Sequence, residues 1–267
     1  MSNNEIIINK EEIRNDYFKK KENANAFGRN VDAIIVIDRS SSTGDYNREL
    51  NEALLHMFRN LKQNKTVMGH NVYITIILFN HEHETVLRHM LINDLTEEKI
   101  PNIESEGATN PAPALEEGIQ IGASYYECYV QDGVDRAHPI LYYFTDGWCD
   151  AGVYEGQSAS ERDATKQKEY EDHYTRVCNQ IQELIRNHKI TVVACGFTQN
   201  AKIDEIQRMT DLTCPINDIN DVKQMDTYFS KLIPATTATH LKKLAAERIT
   251  KNEFDNILGK IFPKNVW

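Results

Sequence analysis

This sequence lacks long apolar runs and has few clustered basic residues. No stretch is apolar over a length that would cross a bilayer. The polar, acidic N-terminus lacks the charged and apolar regions of a secretory signal peptide. The net charge is −10, and the one basic cluster covers residues 19–21. Because nucleic-acid binding needs clustered Lys and Arg, we expect neither a nucleic acid nor a membrane as the partner.

Cysteine pairs and the common phosphate-binding and nucleophile motifs are missing as well. The five cysteines are widely spaced, without a Cys-x-x-Cys pair, which is typical of reduced thiols in a cytosol. We therefore expect a cytoplasmic protein. The chain has no Walker A motif, no G-x-G-x-x-G after a strand and no G-x-S-x-G elbow, so nucleotide binding and serine hydrolysis lack support.

The residues that are present predict an α/β fold. Of the 267 residues, 40% are hydrophobic, which is enough for a sizeable core. Runs of β-branched residues alternate with segments whose apolar residues recur at helical spacing. This alternation predicts a mostly parallel sheet covered by helices on both faces. The predicted strands cover residues 33–38, 72–79, 85–87, 139–144, 190–195 and 213–216, and the predicted helices cover 50–61, 111–126, 174–185, 203–209 and 222–233.

Oxygen-bearing side chains follow the ends of two predicted strands and open one predicted helix. The first strand ends in Asp38, which Ser40 and Ser42 follow; Thr109 precedes a helix, and Asp146 follows the strand at 139–144. Because ligands bind at the carboxyl ends of parallel strands, we expect these side chains to share one crevice. Hydroxyl and carboxylate oxygens, without sulfur or imidazole, suit Mg²⁺ or Mn²⁺. Taken alone, the first cluster is also what an ordinary helix N-cap would contain.

These motifs resemble the metal-ion-dependent adhesion site of a von Willebrand factor type A (vWA) domain. The resemblance rests on the D-x-S-x-S pattern of Asp38, Ser40 and Ser42, on the loop of Thr109, and on the T-D-G sequence around Asp146. It implies a Rossmann-like fold, with a mostly parallel sheet, one antiparallel edge strand and helices on both faces. It also implies that the two serines bind the metal directly, Thr109 directly or through water, and the two aspartates chiefly through water.

The resemblance covers residues 31–233 and carries further expectations. We expect a leader at 1–30, a vWA-like domain at 31–233 and a helical extension at 234–267. The chain looks most similar to intracellular bacterial members, such as those grouped with tellurite-resistance proteins. This implies a protein-binding module, not an enzyme, whose metal engages an acidic residue of a partner in a multiprotein complex. Such partners include AAA-type ATPases, kinases and phosphatases.

Several alternatives stay open at this point. A haloacid-dehalogenase-like phosphatase also has an aspartate after its first strand, but it needs a second aspartate where this chain has Ser40. His81 and His83 alternate with glutamates and could bind Zn²⁺, although two ligands are too few for a closed site. Cys149 could be a reactive thiol.

Two segments outside the core of the fold also carry expectations. The polar segment 148–172 is expected to form a rim over the site. The apolar extension at 234–267 is expected either to pack on its own domain or to dock a partner.

Overall fold

Runs of buried β-branched residues form one six-stranded sheet. The computed structural model describes residues 9–150, 164–196, 201–215, 226–243 and 247–262. The strands are β1 (Asn30–Asp38), β2 (Asn71–Phe79), β3 (His83–Leu91), β4 (Ile140–Thr145), β5 (Thr191–Gly196) and β6 (Thr213–Pro215). Their order in the sheet is β3-β2-β1-β4-β5-β6. Every neighbouring pair is parallel except β2 and β3, so the antiparallel strand lies at one edge.

Helices cover both faces of this sheet. They are α1 (Lys10–Lys20), α2 (Asn47–Gln63), α3 (Lys65–Met68), α4 (Pro111–Asp132), α5 (Ala164–Arg186), α6 (Ile203–Gln207), α7 (Ile233–Leu241) and α8 (Lys251–Ile261). One apolar core contains α2, α7 and α8, and the other contains α1, α4, α5 and α6. The central strands β1, β2, β4 and β5 are buried along their whole length, which explains their apolar runs. The predicted α/β, Rossmann-like fold is confirmed.

The strand register places the expected site between β1 and β4. Asp38, the last residue of β1, pairs with Phe79 of β2. On the other side of β1, Ile37 pairs with Phe144 of β4, so the end of β1 lies beside the T-D-G turn that follows β4. Parallel strands thus bring the first and third motifs to the same edge of the sheet.

Polar residues obscure the helical periodicity in three parts of the chain. The leader contains α1, which buries only Ile13 and Tyr17. Helix α5 begins at Ala164, inside the segment that the sequence assigned to a polar rim. Its first turns are largely exposed, so they carry no apolar pattern that would indicate a helix. Residues 151–163 of that segment, and residues 216 and 222–225 of two predicted elements, lie outside the described residues. The expected boundary at 233 falls within a helical run that continues to Leu241.

The C-terminal extension packs on the rest of the chain. Phe254, Ile257 and Leu258 of α8 are buried in the core that also contains α2. A capping box, in which Thr250 and Glu253 exchange side-chain and backbone hydrogen bonds, begins the helix. These contacts support the interpretation in which the extension packs on its own domain over the docking-helix interpretation. Among the described helices, none is both long enough and apolar enough to cross a membrane.

Candidate metal site

Asp38 joins the first motif to the third. Its carboxylate is fully buried, and both of its oxygens accept hydrogen bonds. Oδ1 accepts from the Ser40 amide at 2.9 Å, and Oδ2 accepts from the Thr145 hydroxyl at 2.9 Å. Asp38 therefore orients the serine loop and the T-D-G turn against each other.

A continuous row of oxygens lies beside Asp38, with its two ends buried and its middle member exposed. The hydroxyls of Ser40 and Ser42 are 2.9 Å apart, and the Ser42 hydroxyl donates to Asp146 Oδ2 at 2.5 Å. Ser40 and Asp146 are buried, whereas Ser42 is exposed. Two hydroxyls and one carboxylate from two different loops thus converge at the carboxyl edge of the sheet.

The loop of Thr109 is attached to both other motifs by backbone hydrogen bonds. Thr109 and Asp150 exchange two amide–carbonyl bonds of 2.9 Å, and the Ser41 amide donates to Gly107 O at 3.0 Å. Thr109 is 4% exposed. Within the described part of the chain, no hydrogen bond joins its hydroxyl to the row of Ser40, Ser42 and Asp146. The structure therefore joins the Thr109 loop to the segments that carry the other two motifs.

The charges and donors at this edge fit a hard divalent cation. Burial, and then the negative charge of Asp146, raise the pKa of the Asp38 carboxyl, and burial raises the pKa of Asp146 as well. Two buried carboxylates whose charges act on each other would both be stabilised in their charged forms by a cation held at this edge. No group of three or more His, Cys, Asp or Glu side chains that could hold a metal occurs in the described ranges, so hydroxyls must supply part of any shell here. Such an oxygen-only set suits Mg²⁺ or Mn²⁺.

The sequence did not identify two residues that lie beside this row. Trp148 donates its backbone amide to Asp146 Oδ1 at 3.0 Å, and Lys202 donates its amide to Asp146 O at 2.7 Å. The Lys202 ammonium lies 3.5 Å from the centroid of the Trp148 ring. Gly147 permits this approach: its φ is +77°, and a Cβ there would lie 2.7 Å from the Lys202 carbonyl oxygen. The T-D-G sequence signals the turn, but no local signal pairs it with a lysine of a distant loop.

The other sequence candidates are not supported by their surroundings. His83 Nε2 lies 3.4 Å from Glu117 Oε2, and His81 is exposed and packs against Gly107. Burial raises the pKa of the Cys149 thiol to about 12, which makes it a poor nucleophile. All five cysteines are free thiols, as the sequence predicted.

Comparisons with known proteins bear on the fold. No family model matches this chain, and no curated protein matches it. The vWF domain of the type V pilus tip protein Mfa5 from Porphyromonas gingivalis superimposes with a TM-score of 0.51 at 13% identity, over 84% of this chain and 99% of that domain. The minor pilin PilB from Streptococcus sanguinis gives a TM-score of 0.52 at 12% identity, over 79% of this chain and 63% of the pilin.

A third similar structure is not a pilus protein. Proximal thread matrix protein 1 from the mussel byssus gives a TM-score of 0.51 at 15% identity, over 79% of this chain. This chain spans only 50% of the mussel protein and 63% of the pilin. At these identities the likenesses show the fold alone.

Proposed function

We propose that this chain, which has the fold of a von Willebrand factor type A domain, is a metal-dependent protein-binding module. In this proposal Ser40 and Ser42 bind Mg²⁺ or Mn²⁺ directly, Thr109 directly or through water, and Asp38 and Asp146 chiefly through water. The observation that carries the proposal is the oxygen row from Ser40 through Ser42 to Asp146, beside the buried Asp38. A bound cation would supply a Lewis-acidic position for one oxygen of a carboxylate.

The hydrogen bonds of the two aspartates explain why that carboxylate should come from another protein. Both oxygens of Asp38 accept hydrogen bonds from Ser40 and Thr145, so this residue contributes charge and orientation. Asp146 accepts from Ser42 and from the Trp148 amide. A shell built mainly from neutral hydroxyls leaves a divalent cation electrophilic, which favours an acidic ligand beside Ser42, the exposed member of the row.

The kind of partner rests on the resemblance of the motifs. We propose a cytoplasmic, bacterial role within a multiprotein complex, of the type found in tellurite-resistance-associated members, with an AAA-type ATPase, a kinase or a phosphatase as the partner. The phosphatase alternative for this chain itself has no support in the site. Ser40, which occupies the position where such an enzyme needs its second aspartate, contacts the Ser42 hydroxyl, and neither serine can act as a general acid at neutral pH.

Adjacent serines provide a matched test of this function. Ser42→Ala removes a hydroxyl of the oxygen row, whereas Ser41→Ala removes an exposed hydroxyl one position away. In pull-downs from the native host with Mg²⁺, we expect Ser42→Ala to reduce capture of any Mg²⁺-dependent partner about tenfold, since changes around a metal shell commonly cost 10–100-fold in affinity. The Ser41→Ala protein should behave as the wild type. Capture that is equally strong in EDTA and in Mg²⁺ would contradict the proposal.

A further inference from the structure

The rim of the proposed metal site carries a lysine for which the proposed function has no role. Lys202 is exposed, and its ammonium lies 3.5 Å from the centroid of the Trp148 ring. Trp148 is itself 38% exposed and follows the T-D-G turn directly. The pair therefore lies at the solvent edge of the site, where a ligand would arrive.

Backbone contacts fix this lysine to the aspartate of the oxygen row. The Lys202 amide donates to Asp146 O at 2.7 Å, and the Trp148 amide donates to Asp146 Oδ1 at 3.0 Å. The absence of a side chain at Gly147 lets the two segments approach. These backbone bonds hold the Lys202 backbone next to Asp146, and the Trp148 ring supports its ammonium.

The charge of Lys202 acts on Asp146 but is not held in an ion pair among the described residues. Lys202 forms no ion pair with any residue in the described part of the chain. An indole face attracts an exposed ammonium only weakly. An ammonium has three donors, so it can remain on the ring and still donate to a carboxylate.

Other charges around the site make Lys202 the favoured position for a second negative group. Glu106 is exposed on the loop that precedes Thr109, and its amide donates to Arg39 O, so it adds negative charge on that side of the site. Arg39, within the first motif, has its Nε buried, so it is less accessible than the exposed Lys202. A ligand that places one carboxylate on the metal therefore meets an exposed cation, Lys202, on the Trp148 side.

We propose that Lys202, supported by the Trp148 ring, binds a second carboxylate of the ligand beside the one that the metal binds. The inference rests on the proposed function and narrows it: the partner presents a segment with two acidic residues close together in sequence. In this role Lys202 determines specificity, because it discriminates between ligands that the metal alone would bind alike.

Two peptides that differ only in their last side chain, a carboxylate in one and an amide in the other, test the inference. In a Trp267→Phe background, Trp148 gives the single indole N–H signal in a ¹H–¹⁵N spectrum. The Mg²⁺-saturated protein is titrated with Ac-Gly-Asp-Gly-Asp-NH2 and with Ac-Gly-Asp-Gly-Asn-NH2. We expect the two-acid peptide to bind about fivefold more tightly, the upper end for an exposed ion pair.

Three lysine variants test whether Lys202 causes the preference for the two-acid peptide. Lys202→Met should abolish the preference and leave the affinity for the one-acid peptide unchanged, and Lys202→Arg should retain the preference. Lys251→Met serves as the matched control, because Lys251 of α8 also places its ammonium over an aromatic ring, at 5.5 Å from the Phe254 centroid. This control should keep the full preference.

The contrary outcomes separate the two claims. A preference that survives Lys202→Met, or equal binding of both peptides by the wild type, overturns the role of Lys202 while metal-dependent binding stands. An equal loss of affinity for both peptides in Lys202→Met also overturns it. Titrations in which neither peptide moves the signal, or moves it equally in EDTA, contradict the proposed function and the inference together.

Discussion

Replacing Asp146 by Ala should abolish stabilisation of the fold by Mg²⁺. A ligand that binds only the folded state at about 100 times its dissociation constant adds about 2.7 kcal/mol to the free energy of unfolding. The wild type should show this increment between EDTA and saturating Mg²⁺. In the variant the row loses the carboxylate that accepts from Ser42, so the increment should vanish. Denaturant unfolding with and without Mg²⁺ measures it.

The increment, rather than absolute stability, is the informative quantity for this variant. Asp146 is buried and its pKa is raised by burial, so the variant in EDTA need not be less stable than the wild type. Asp211→Ala is a suitable control, because Asp211 is an exposed aspartate whose ion pair with Arg248 spans 3.5 Å. It should retain the full Mg²⁺ increment. An increment of the same size in Asp146→Ala and in the wild type would mean that the cation binds elsewhere.

Acidification should destabilise the protein through His240 of α7. This side chain is fully buried, and its Nε2–H donates to His138 O at 2.7 Å. Burial is the main cause that lowers the pKa of His240 to about 4, and the positive charges of Arg29 and Lys243 lower it further. In the unfolded chain an ordinary histidine titrates near 6.5. Between these values the unfolded state binds a proton that the folded state does not, so stability falls as the pH falls.

The expected loss is on the order of 3 kcal/mol between pH 6.5 and pH 4. His240→Gln can keep a donor to His138 O and removes the titrating group, so its stability should depend less on pH by about that amount. His56→Gln is the control, because His56 is exposed and its ion pair with Asp226 contributes little at the surface. Equal pH slopes in the wild type and in His240→Gln would contradict this assignment. Other buried groups, such as His89, titrate in all three proteins and cancel in the comparison.

The sheet and the gathering of the three motifs at its edge were predictable because their signals are local. Strands buried on both faces need continuous β-branched runs, and β1 shows this pattern up to Asp38. The three motifs follow strand ends or open a helix, and parallel topology then brings them to one edge. The antiparallel strand β3 was anticipated as a short edge strand, and it extends further, from His83 to Leu91.

Features that depend on tertiary contacts could not be inferred in the same way. Helix α1 buries two side chains and shows little amphipathic pattern, so its packing on α4 has no clear sequence signal. Asp32 lies in β1, where its oxygens accept from His89 and Tyr129, each at 2.8 Å. The sequence shows only a carboxylate within an apolar run. Its partners come from β3 and α4, and the fold alone brings them together.

Helix α4 also shows how neighbouring residues divide between core and surface. Helical spacing from Leu115 and Ile119 leads to Tyr126 as the next apolar position, but Tyr125 and Tyr129 are the buried tyrosines, and Tyr126 is half-buried against His138. A one-residue shift of 100° around a helix is enough to cause this error. A tyrosine has an apolar ring and a polar hydroxyl, so its residue type does not decide between the core and the surface.

Counting bound Mn²⁺ tests the central claim most directly. Free Mn²⁺ gives an electron paramagnetic resonance signal that is lost on binding, so a titration yields the number of ions held per chain. The account predicts one Mn²⁺ per wild-type chain, displaced by excess Mg²⁺, and none for a variant that combines Ser40→Ala with Ser42→Ala but keeps the wild-type fold by circular dichroism. Full occupancy in that double variant, or no binding by the wild type, would contradict a metal site at the carboxyl edge of β1 and β4.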